Sequence, residues 1–596
     1  MNRRWVTGKH MIRGAMVLLS GLALSTAYPG LGFGIVAWFA LMPLLNVLWT
    51  TGERWRKRVG FFWGYVFGAA FFLCNVSWLS TVSGLGVVVL GSYLALYPAL
   101  WGMAVCRWMN PWARPAAKGR WGDTLRSLGY AFSHGTLWAA LELLRGWVFT
   151  GFGWNGLGVA MHDQPVLAQS ADLFGVAGLS ALMVFVQSVL LQVLRRMIVE
   201  ARMGRRRAHP DFGIAGLLLA SAFAYGVWQL SAQAKKETFP LRVCLVQVNV
   251  PQVAARQLWT AEEVHLAYEE EVERAMQQVE IANQQALEKS AERGEEVDLF
   301  YPDWLVLPEV ALTGRLMSAP TGEFAMWREN EWSLESFRKQ GSYDILLGMG
   351  ELEAKVEGEM LAIPENPKAW NSLVLLPQDA PLQRFQKKHL VMFGEFIPLV
   401  DQLPWLKRIY EQQAGTTFEG SFSRGMMVDP IPMACRGQKF SVIPSICFED
   451  TVARESRSFV REEAQVIVNV TNDGWFAQSA AAAQHFANAK FRSIELRRPM
   501  VRCANTGVSA VISPTGHAQK LTNEQGSHFT RGFLLATAKV PLQPTATLYQ
   551  RWGDWPVLLG ALISWIICVF VTRSTETRPV DPRTESWQSS ESHASC

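Results

Sequence analysis

The chain has 596 residues, which is enough for more than one domain. Its 25 tryptophans and 32 phenylalanines, with only 18% charged residues, indicate that part of it lies in lipid and argue against a wholly water-soluble protein. The formal net charge of +5 arises from basic loops between apolar runs, so it does not indicate nucleic-acid binding.

Long apolar runs dominate the sequence before about residue 235, and each is close to the roughly 20 residues that a helix needs to span a bilayer. The first run follows basic residues, as in a signal peptide. Residues 27–30 lack a small-x-small cleavage site, however, so we expect an uncleaved helix. The predicted spans lie near 12–28, 31–49, 61–80, 83–106, 128–148, 171–194, 212–231 and 555–572.

Lysine and arginine are confined to alternate loops of this apolar part. They precede the first span, follow the second, and lie between the fourth and fifth and between the sixth and seventh. The loops near 27–32, 80–84 and 149–170 contain none. Because positively charged loops stay on the cytoplasmic side, we expect both termini in the cytoplasm and the segment before the last span on the outer face.

This organisation predicts four parts of the chain. We expect a transmembrane bundle of about seven helices at 1–235, a soluble domain at 236–550 and a last transmembrane helix at 551–573. The tail at 574–596 is polar and poor in apolar residues, so we expect it to be disordered.

The soluble domain alternates short apolar stretches with polar ones, a pattern typical of an α/β fold with a mixed sheet. Residues 393–425 form a long mixed stretch, which predicts a functional lid. Helices are predicted at 261–292 and 479–496, and strands at 241–250, 304–308, 344–349, 370–376, 440–446, 465–470, 500–512 and 532–540.

Three reactive side chains follow three of the predicted strands. Cys447 follows the strand at 440–446, Glu309 ends the run Trp304-Leu-Val-Leu-Pro-Glu309, and Lys387 follows the strand at 370–376. We expect these residues to lie at the ends of neighbouring strands. A thiol, a carboxylate and an amine there would form a base-activated nucleophile with a cation beside it.

The other cysteines do not indicate a metal site, because the chain has no CxxC pair and no histidine-rich spacing. Cys244 and Cys503 lie in apolar strand-like runs and are interpreted as small buried hydrophobes. Cys435 fits either a disulfide or a buried thiol.

The order Glu309, Lys387, Cys447 resembles the Glu-Lys-Cys triad of the nitrilase (carbon–nitrogen hydrolase) superfamily, and the local sequences match as well. With the predicted spans around them, the whole chain resembles the apolipoprotein N-acyltransferase family. The segments that carry this resemblance are Leu-Pro-Glu309, Phe385-Gln-Lys387, Phe393-Gly-Glu395, Ile446-Cys447-Phe-Glu449, Trp138-x3-Glu142-x2-Arg145, Gly151-Phe-Gly-Trp154, Asn472-Asp-Gly-Trp475-Phe476, Gln484-His485 and Glu495 to Gly507.

The chain departs from the family pattern at four places. Leu307 stands where the family has Trp, Met392 where it has Pro, and Phe448 where it has Tyr. Trp259 is assigned to a family tryptophan, although its spacing from Gln252 is longer than usual. None of these departures changes the three reacting groups.

The resemblance implies a multi-pass α-helical bundle of about eight spans that carries a nitrilase-like α-β-β-α sandwich, in the inner membrane of a bacterium with the sandwich in the periplasm. It implies transfer of an sn-1 acyl chain from a phospholipid, phosphatidylethanolamine, to the amine of the diacylglyceryl-cysteine of an apolipoprotein. It implies that no cofactor is needed. The sequence leaves the oligomeric state open, and a monomer is the default expectation.

The resemblance also implies roles for single residues. Cys447 is the expected nucleophile, Glu309 the proton acceptor and Lys387 the oxyanion stabiliser. The expected supporting residues orient Lys387 and the second substrate or line the acyl pocket; they are Glu395, Phe448, Glu449 and Trp259.

Less specific interpretations remain for several of these side chains. Cys447 fits a buried structural thiol, Lys388 competes with Lys387, and Glu449 fits a purely structural role. His389 and His485 are interpreted as structural hydrogen-bonding residues. Glu142 and Arg145, three residues apart on one helix, form either a functional site or a structural pair.

Two other function classes fit part of the pattern. A membrane-tethered amidase or nitrilase would use the same triad with water as acceptor, but it would not need a bundle of spans. A binding or transport protein with an inactive enzyme domain would not need the intact triad.

Overall fold

Helices make up the first part of the chain, and two β-sheets make up most of the rest. The computed structural model describes residues 2–51, 56–113, 119–204, 206–253, 256–294, 296–400, 402–414 and 420–576. The helices of the first part are α1 (Asn2–Ser25), α2 (Met42–Trp49), α3 (Arg56–Asn75), α4 (Gly84–Trp108), α5 (Gly119–Arg145), α6 (Pro165–Ala168), α7 (Ala171–Arg202) and α8 (Pro210–Ala234).

Three of these helices, α4, α7 and α8, are long and apolar enough to cross a membrane. Shorter apolar stretches lie at His10–Ser25, Gly34–Trp49 and Trp555–Phe570. The predicted span at 31–49 is divided into a 3₁₀ helix, Gly34–Trp38, and α2. Since α2 has only 8 residues, it is about 12 Å long, well short of a bilayer core of about 30 Å. The prediction of one continuous helix over residues 31–49 is therefore wrong.

The helices α3 and α4 pack through a row of small residues. Gly60, Gly64 and Gly68 occur at every fourth position of α3, so they share one face of that helix. A Cβ atom added at Gly64 would lie 2.3 Å from the carbonyl oxygen of Pro98 on α4. The absence of side chains on this face lets the two backbones approach closely, as is common in helix pairs within membranes.

The part of the chain between α8 and the last helix contains two large sheets instead of the single mixed sheet that the strand pattern predicts. The strands are β1 (Thr238–Gln247), β2 (Gln252–Val253), β3 (Arg256–Gln257), β4 (Trp304–Val306), β5 (Arg315–Ser318), β6 (Phe324–Met326), β7 (Asp344–Glu353), β8 (Lys355–Glu357), β9 (Met360–Ala362), β10 (Ala369–Leu376), β11 (Gln383–Gln386), β12 (Ile431–Cys435), β13 (Gln438–Ile446), β14 (Gln465–Thr471), β15 (Met500–Ala504), β16 (Ala510–Ile512), β17 (Ala518–Lys520) and β18 (Gly532–Pro541). The strands of the first sheet run in the order β11-β10-β7-β4-β1-β18, with β5 paired to β7 and β6 paired to β5, and the second runs β12-β13-β14-β15-β16-β17. Two short hairpins, β2–β3 and β8–β9, stand apart.

The two sheets face each other across a shared core. In β1, Val243 and Leu245 join the apolar cluster between the sheets, whereas Cys244 and Val246 join the cluster beneath the outer helices. This alternation follows from the two-residue period of a strand. The helices of this part are α9 (Ala261–Arg293), α10 (Arg328–Gln340), α11 (Trp405–Ala414), α12 (Ala453–Ser458), α13 (Ala480–Leu496) and α14 (Leu548–Trp552), followed by α15 (Trp555–Glu576).

The layers follow the order helix, sheet, sheet, helix, with α9 and α10 outside the first sheet and α13 beside the second. One side of α13 packs Phe486 and Ala489 against the second sheet. The other side supplies Phe491 and Ile494 to the core of the helical bundle. The same helix therefore closes the sandwich and attaches it to the bundle.

Several boundaries differ from the sequence predictions. The helix predicted at 261–292 is confirmed as α9, but the strand predicted at 500–512 is two strands, β15 and β16, joined by a turn at Gly507 with φ +123°. The stretch 393–425 contains α11, while residues 401 and 415–419 lie outside the described residues. Of the predicted tail, α15 reaches Glu576, and residues 577–596 lie outside the described residues.

Candidate active site

Glu309, Lys387 and Cys447 meet where the two sheets end. Glu309 follows β4 and Lys387 follows β11, two strands of the first sheet that are separated by β7 and β10. Cys447 follows β13 of the second sheet. The expectation of neighbouring strands is therefore wrong, because the residues converge across the sandwich as well as along one sheet.

A hydrogen-bond network fixes the carboxylate and the amine. Lys387 Nζ lies 2.9 Å from Glu395 Oε1 and 3.8 Å from Glu309 Oε1. Asn371 Nδ2 donates to Glu309 Oε1 (2.7 Å) and to Glu395 Oε1 (3.0 Å). The second oxygen of Glu395 accepts from the backbone N–H of Val391 at 2.9 Å. Glu395 therefore forms an ion pair with Lys387, and Asn371 bonds to both carboxylates.

Burial and the charges of neighbouring groups act in opposite directions on the pKa of each of these two groups, and the pKa of both is raised. Burial raises the pKa of Glu309, and the charge of Lys387 only partly opposes this shift. Burial alone would lower the pKa of Lys387, but the negative charges of Glu395 and Cys447 outweigh it and raise that pKa. Lys387 is therefore a permanent cation, and Glu309 is a carboxylate with a stronger than usual affinity for a proton.

The backbone presents the sulfur of Cys447 at a sharp turn. Cys447 has a φ of 52°, which is uncommon for a residue with a side chain, and it begins a 3₁₀ helix that extends to Thr451. The side chain of Asn469 on β14 donates to the Cys447 carbonyl at 3.2 Å. Such backbone conformations are frequent at active sites and are maintained only where the surroundings enforce them.

The thiol of Cys447 requires a base before it can act as a nucleophile. Burial and the nearby charge of Glu309 raise the pKa of Cys447 well above its usual value, and Lys387 opposes this shift. Glu309 is close enough to the thiol for each group to shift the pKa of the other. The arrangement can therefore move a proton from sulfur to Glu309 while Lys387 stays positively charged beside them.

Glu449 connects the turn that begins at Cys447 to the segment that carries Lys387. Its Oε2 accepts from the N–H of Ile446 at 2.8 Å, and its Oε1 accepts from the N–H groups of Lys388 (2.7 Å) and His389 (2.9 Å). Burial raises the pKa of Glu449 to about 7. These contacts give Glu449 a supporting position between two segments of the site.

Phe448 lies in a stack of rings that joins the site to the helical bundle. Its ring is 3° from parallel to Trp154 at 6.1 Å and stacks on Phe152 at 5.7 Å. His389 covers it at 5.9 Å. The residue after Cys447 thus packs directly against the loop that follows α5.

Two residues that the sequence singles out lie elsewhere. Lys388 pairs with Glu455 at 3.5 Å and covers the ring of Phe459, so these contacts of Lys388 are with α12 and the residue after it. Trp259 packs, partly buried, against the apolar cluster between α9 and the first sheet.

Glu142 and Arg145 do not form the direct pair that their spacing allows, as far as the described residues show. Glu142 Oε1 accepts from Trp138 Nε1 and from the N–H of Leu157, each at 2.7 Å. The guanidinium of Arg145 lies over the ring of Phe72, 5.1 Å from its centroid. Both residues line a small cavity inside the bundle, with room for about one water.

Sequence reasoning missed Asn371 and the partners of His485. Asn371 lies near the start of the apolar strand β10. A polar amide within an apolar strand is a signal that the sequence contained. His485 contacts Asp450 and Asp473, at 2.8 Å and 2.6 Å, and no local spacing indicates that these three residues meet.

Two protein-family models match different parts of this chain. Residues 20–189 match the family model of the apolipoprotein N-acyltransferase N-terminal domain, and residues 252–548 match that of the carbon–nitrogen hydrolases. Together the two matches cover more than half of the chain.

Individual relatives match over nearly the whole length. The apolipoprotein N-acyltransferase of Geobacter metallireducens is 29% identical over 561 residues, covering 92% of this chain and 94% of the relative. That of Methylococcus capsulatus is 29% identical over 559 residues, covering 91% and 93%. A solved structure, an amidase from Nesterenkonia sp., is 12% identical and covers 52% of this chain and 92% of its own, with a TM-score of 0.28. The chain therefore belongs to the apolipoprotein N-acyltransferase family, and it combines a match to the N-terminal domain of that family with a match to the carbon–nitrogen hydrolases.

Proposed function

We propose that this protein transfers a fatty acyl chain from the sn-1 ester of a phospholipid to the N-terminal amine of a diacylglyceryl-cysteine on an apolipoprotein. The observation that carries the proposal is the stack of Phe448 on Phe152 and Trp154. It joins a buried Glu-Lys-Cys site directly to the helical bundle, where a lipid ester would be available.

The first half-reaction forms a thioester on Cys447. Glu309 accepts the thiol proton, and the sulfur attacks the ester carbonyl of the phospholipid. Lys387 stabilises the negative charge that develops on the carbonyl oxygen. Removal of one such stabilising donor typically costs on the order of 10²–10³ in rate. The carbonyl reforms, the bond to the glycerol oxygen breaks, and the lysophospholipid leaves with the proton from Glu309.

The second half-reaction transfers the acyl group to the amine. The neutral amine of the acceptor attacks the thioester carbonyl, and Lys387 again stabilises the oxyanion. Glu309 accepts a proton from the amine and returns it to sulfur as the carbon–sulfur bond breaks. An amide and the free thiol result, so the enzyme needs no cofactor and no ATP.

The membrane arrangement belongs to the same proposal. The basic loops favour cytoplasmic termini and a periplasmic domain in a bacterial inner membrane, with eight crossings in total. Since ATP is absent from the periplasm, an acyl group that is already activated as a phospholipid ester suits that location. Phosphatidylethanolamine is the proposed donor, and the enzyme is proposed to act as a monomer.

The test uses purified protein and a phospholipid with a labelled sn-1 chain, with and without a diacylated lipopeptide. We expect a labelled thioester on Cys447 that the lipopeptide amine discharges to a labelled amide. Cys447→Ala should abolish the label, and Glu309→Gln should prevent its formation. Release of the label to water alone would instead identify a hydrolase of the amidase class, and a protein that never acquires label would refute the proposal.

A further inference from the structure

Four buried charged side chains form a closed cluster beside the nucleophile turn. His485 lies between two carboxylates, with Nδ1 2.6 Å from Asp473 Oδ1 and Nε2 2.8 Å from Asp450 Oδ1. Arg502 Nε lies 3.3 Å from Asp450 Oδ2, and Nη2 lies 3.5 Å from Asp473 Oδ2. We call these residues, Asp450, Asp473, His485 and Arg502, the His485 cluster.

The His485 cluster connects the elements that present Cys447. Asp450 lies in the 3₁₀ helix that begins at Cys447, and Asp473 lies in the turn after β14. Arg502 is in the middle of β15, and His485 is on α13. Asp473 and Arg502 both influence the charge state of Cys447 electrostatically.

The neighbour of His485 on α13 connects the same helix to the bundle. Gln484 Oε1 accepts from Trp78 Nε1 (3.0 Å) and from Trp154 Nε1 (2.9 Å). The ring of Trp154 lies 5.3 Å from that of His485 and also stacks on Phe448. Two adjacent residues of α13 therefore support the turn that begins at Cys447: His485 contacts Asp450, and Gln484 bonds to Trp154, which stacks on Phe448.

Charge balance in the cluster depends on the imidazole. With a protonated His485, two positive and two negative charges cancel. With a neutral His485, one negative charge is left uncompensated in a buried region that influences Cys447. An added negative charge disfavours ionisation of a nearby thiol.

The electrostatics favour the protonated state at neutral pH. Burial lowers the pKa of His485, and so does the charge of Arg502, whose Nη2 lies 3.1 Å from Nδ1, but Asp450 and Asp473 outweigh both and raise the pKa to about 9. Because the folded-state value is above the unfolded value of about 6.5, this contribution to stability is fully present below about pH 6.5. It is lost as the pH rises through about 9.

We propose that His485 is a positioning residue whose positive charge balances Asp450 and Asp473, and which thereby lowers the free-energy cost of forming the Cys447 thiolate. This inference rests on the nucleophilic role proposed for Cys447. It assigns His485 an electrostatic role beyond a structural hydrogen bond.

The experiment measures the ionisation of Cys447 without any lipid substrate. The full chain in detergent is treated with methyl methanethiosulfonate, which reacts with thiolates, and the modification of the Cys447 peptide is followed by mass spectrometry. At pH 7.5 we expect His485→Asn to slow modification about tenfold, since one pKa unit changes the thiolate fraction tenfold. The matched control is His265→Asn, which removes a buried histidine of α9 that bonds to Ser333 and Thr313, and should leave the rate unchanged.

A second variant separates charge balance from simple loss of packing. Asp473→Asn combined with His485→Asn leaves only Asp450 and Arg502, which again cancel. We expect modification in this double variant to return to within about threefold of wild type. An unchanged rate in His485→Asn, or a double variant as slow as the single one, would overturn the inference.

If His485→Asn does not fold, Asp473→Asn alone carries the test at pH 6, where His485 keeps its proton beside Asp450. The cluster then gains a net positive charge, and Cys447 should react faster than in wild type; an equal or slower rate contradicts the inference.

A wild-type protein that forms no acyl thioester would refute the proposed function, but it would leave these modification rates valid.

Discussion

Single side chains in the site have two separate tasks. Glu309, Lys387 and Cys447 would act on the substrate, whereas Asn371 and Glu395 hold them at fixed separations. Without Asn371, two buried carboxylates would share one cation and would tend to share a proton as well. The amide keeps Glu309 available as a base by satisfying its oxygen without adding a charge.

Glu309 also depends on a residue with no side chain. A Cβ atom at Gly348 on β7 would lie 2.5 Å from the Cα atom of Glu309, which is closer than folded proteins tolerate. We therefore expect Gly348→Ala to displace the Glu309 backbone. Misplacement of a catalytic group by about 1 Å can cost roughly 100-fold in rate, so thioester formation should fall by about that factor.

Gly350 is the matched control for this substitution, because it lies two residues further along the same strand. A Cβ atom there would be 3.7 Å from the Arg315 side chain, an ordinary contact. Gly350→Ala should retain most of the activity. Equal rates of labelled thioester formation in the two folded variants would show that the close approach at Gly348 does not position Glu309.

Among the larger elements, the pair α3 and α4 depends on the absence of side chains along one face. Gly64→Ala would drive a methyl group against the Pro98 carbonyl, and overpacking of this kind typically costs about 1–3 kcal/mol. We expect a lower apparent melting temperature of the protein in detergent. Gly216→Ala on α8, where a Cβ atom meets nothing within 4 Å, should leave the melting temperature unchanged or raise it.

Sequence reasoning succeeded where one short segment carries the information. Leu-Pro-Glu309 and Ile-Cys447-Phe each follow an apolar strand, so their position follows from local pattern alone, whereas Lys387 follows the short polar strand β11 and is identified only by its resemblance to the family motif. Helix α10 was missed because it is strongly polar, with only Ser333, Leu334, Phe337 and Asn330 buried, and its apolar pattern is too weak to stand out. The divided second span was missed because hydropathy does not record the turn at residues 39–41, where Phe39 departs from helical backbone angles.

Contacts between segments that are far apart in the sequence could not be predicted from local sequence patterns. Nothing near Cys447 in the sequence indicates that Asn371 joins Glu309 to Glu395, or that His485 reaches both Asp450 and Asp473. The arrangement of strands in two sheets depends on the same distant pairings. The side chains most open to sequence prediction are therefore those proposed to react, and those that position them needed the fold.

On the scale of the whole molecule, the bundle and the sandwich share one core through α13 and the ring stack at Phe448. Trp154 is buried in the bundle, yet it stacks on Phe448 and donates to Gln484 at 2.9 Å. A bundle that only anchored the enzyme would not need to contact the residue after the nucleophile. The contact indicates that the bundle also positions Cys447.

This positioning role predicts a graded effect at Trp154. Trp154→Phe keeps an aromatic ring against Phe448 and loses only the hydrogen bond to Gln484, so we expect a loss of a few-fold in thioester formation. Trp154→Ala removes the ring as well and leaves a cavity beside the nucleophile turn, so the loss should reach about 100-fold in the folded fraction. Trp228→Ala on α8, where the side chain is 60% exposed, serves as the control and should not change the rate. If Trp154→Ala forms the thioester as fast as wild type once the folded fraction is matched, the bundle holds the sandwich without positioning its nucleophile.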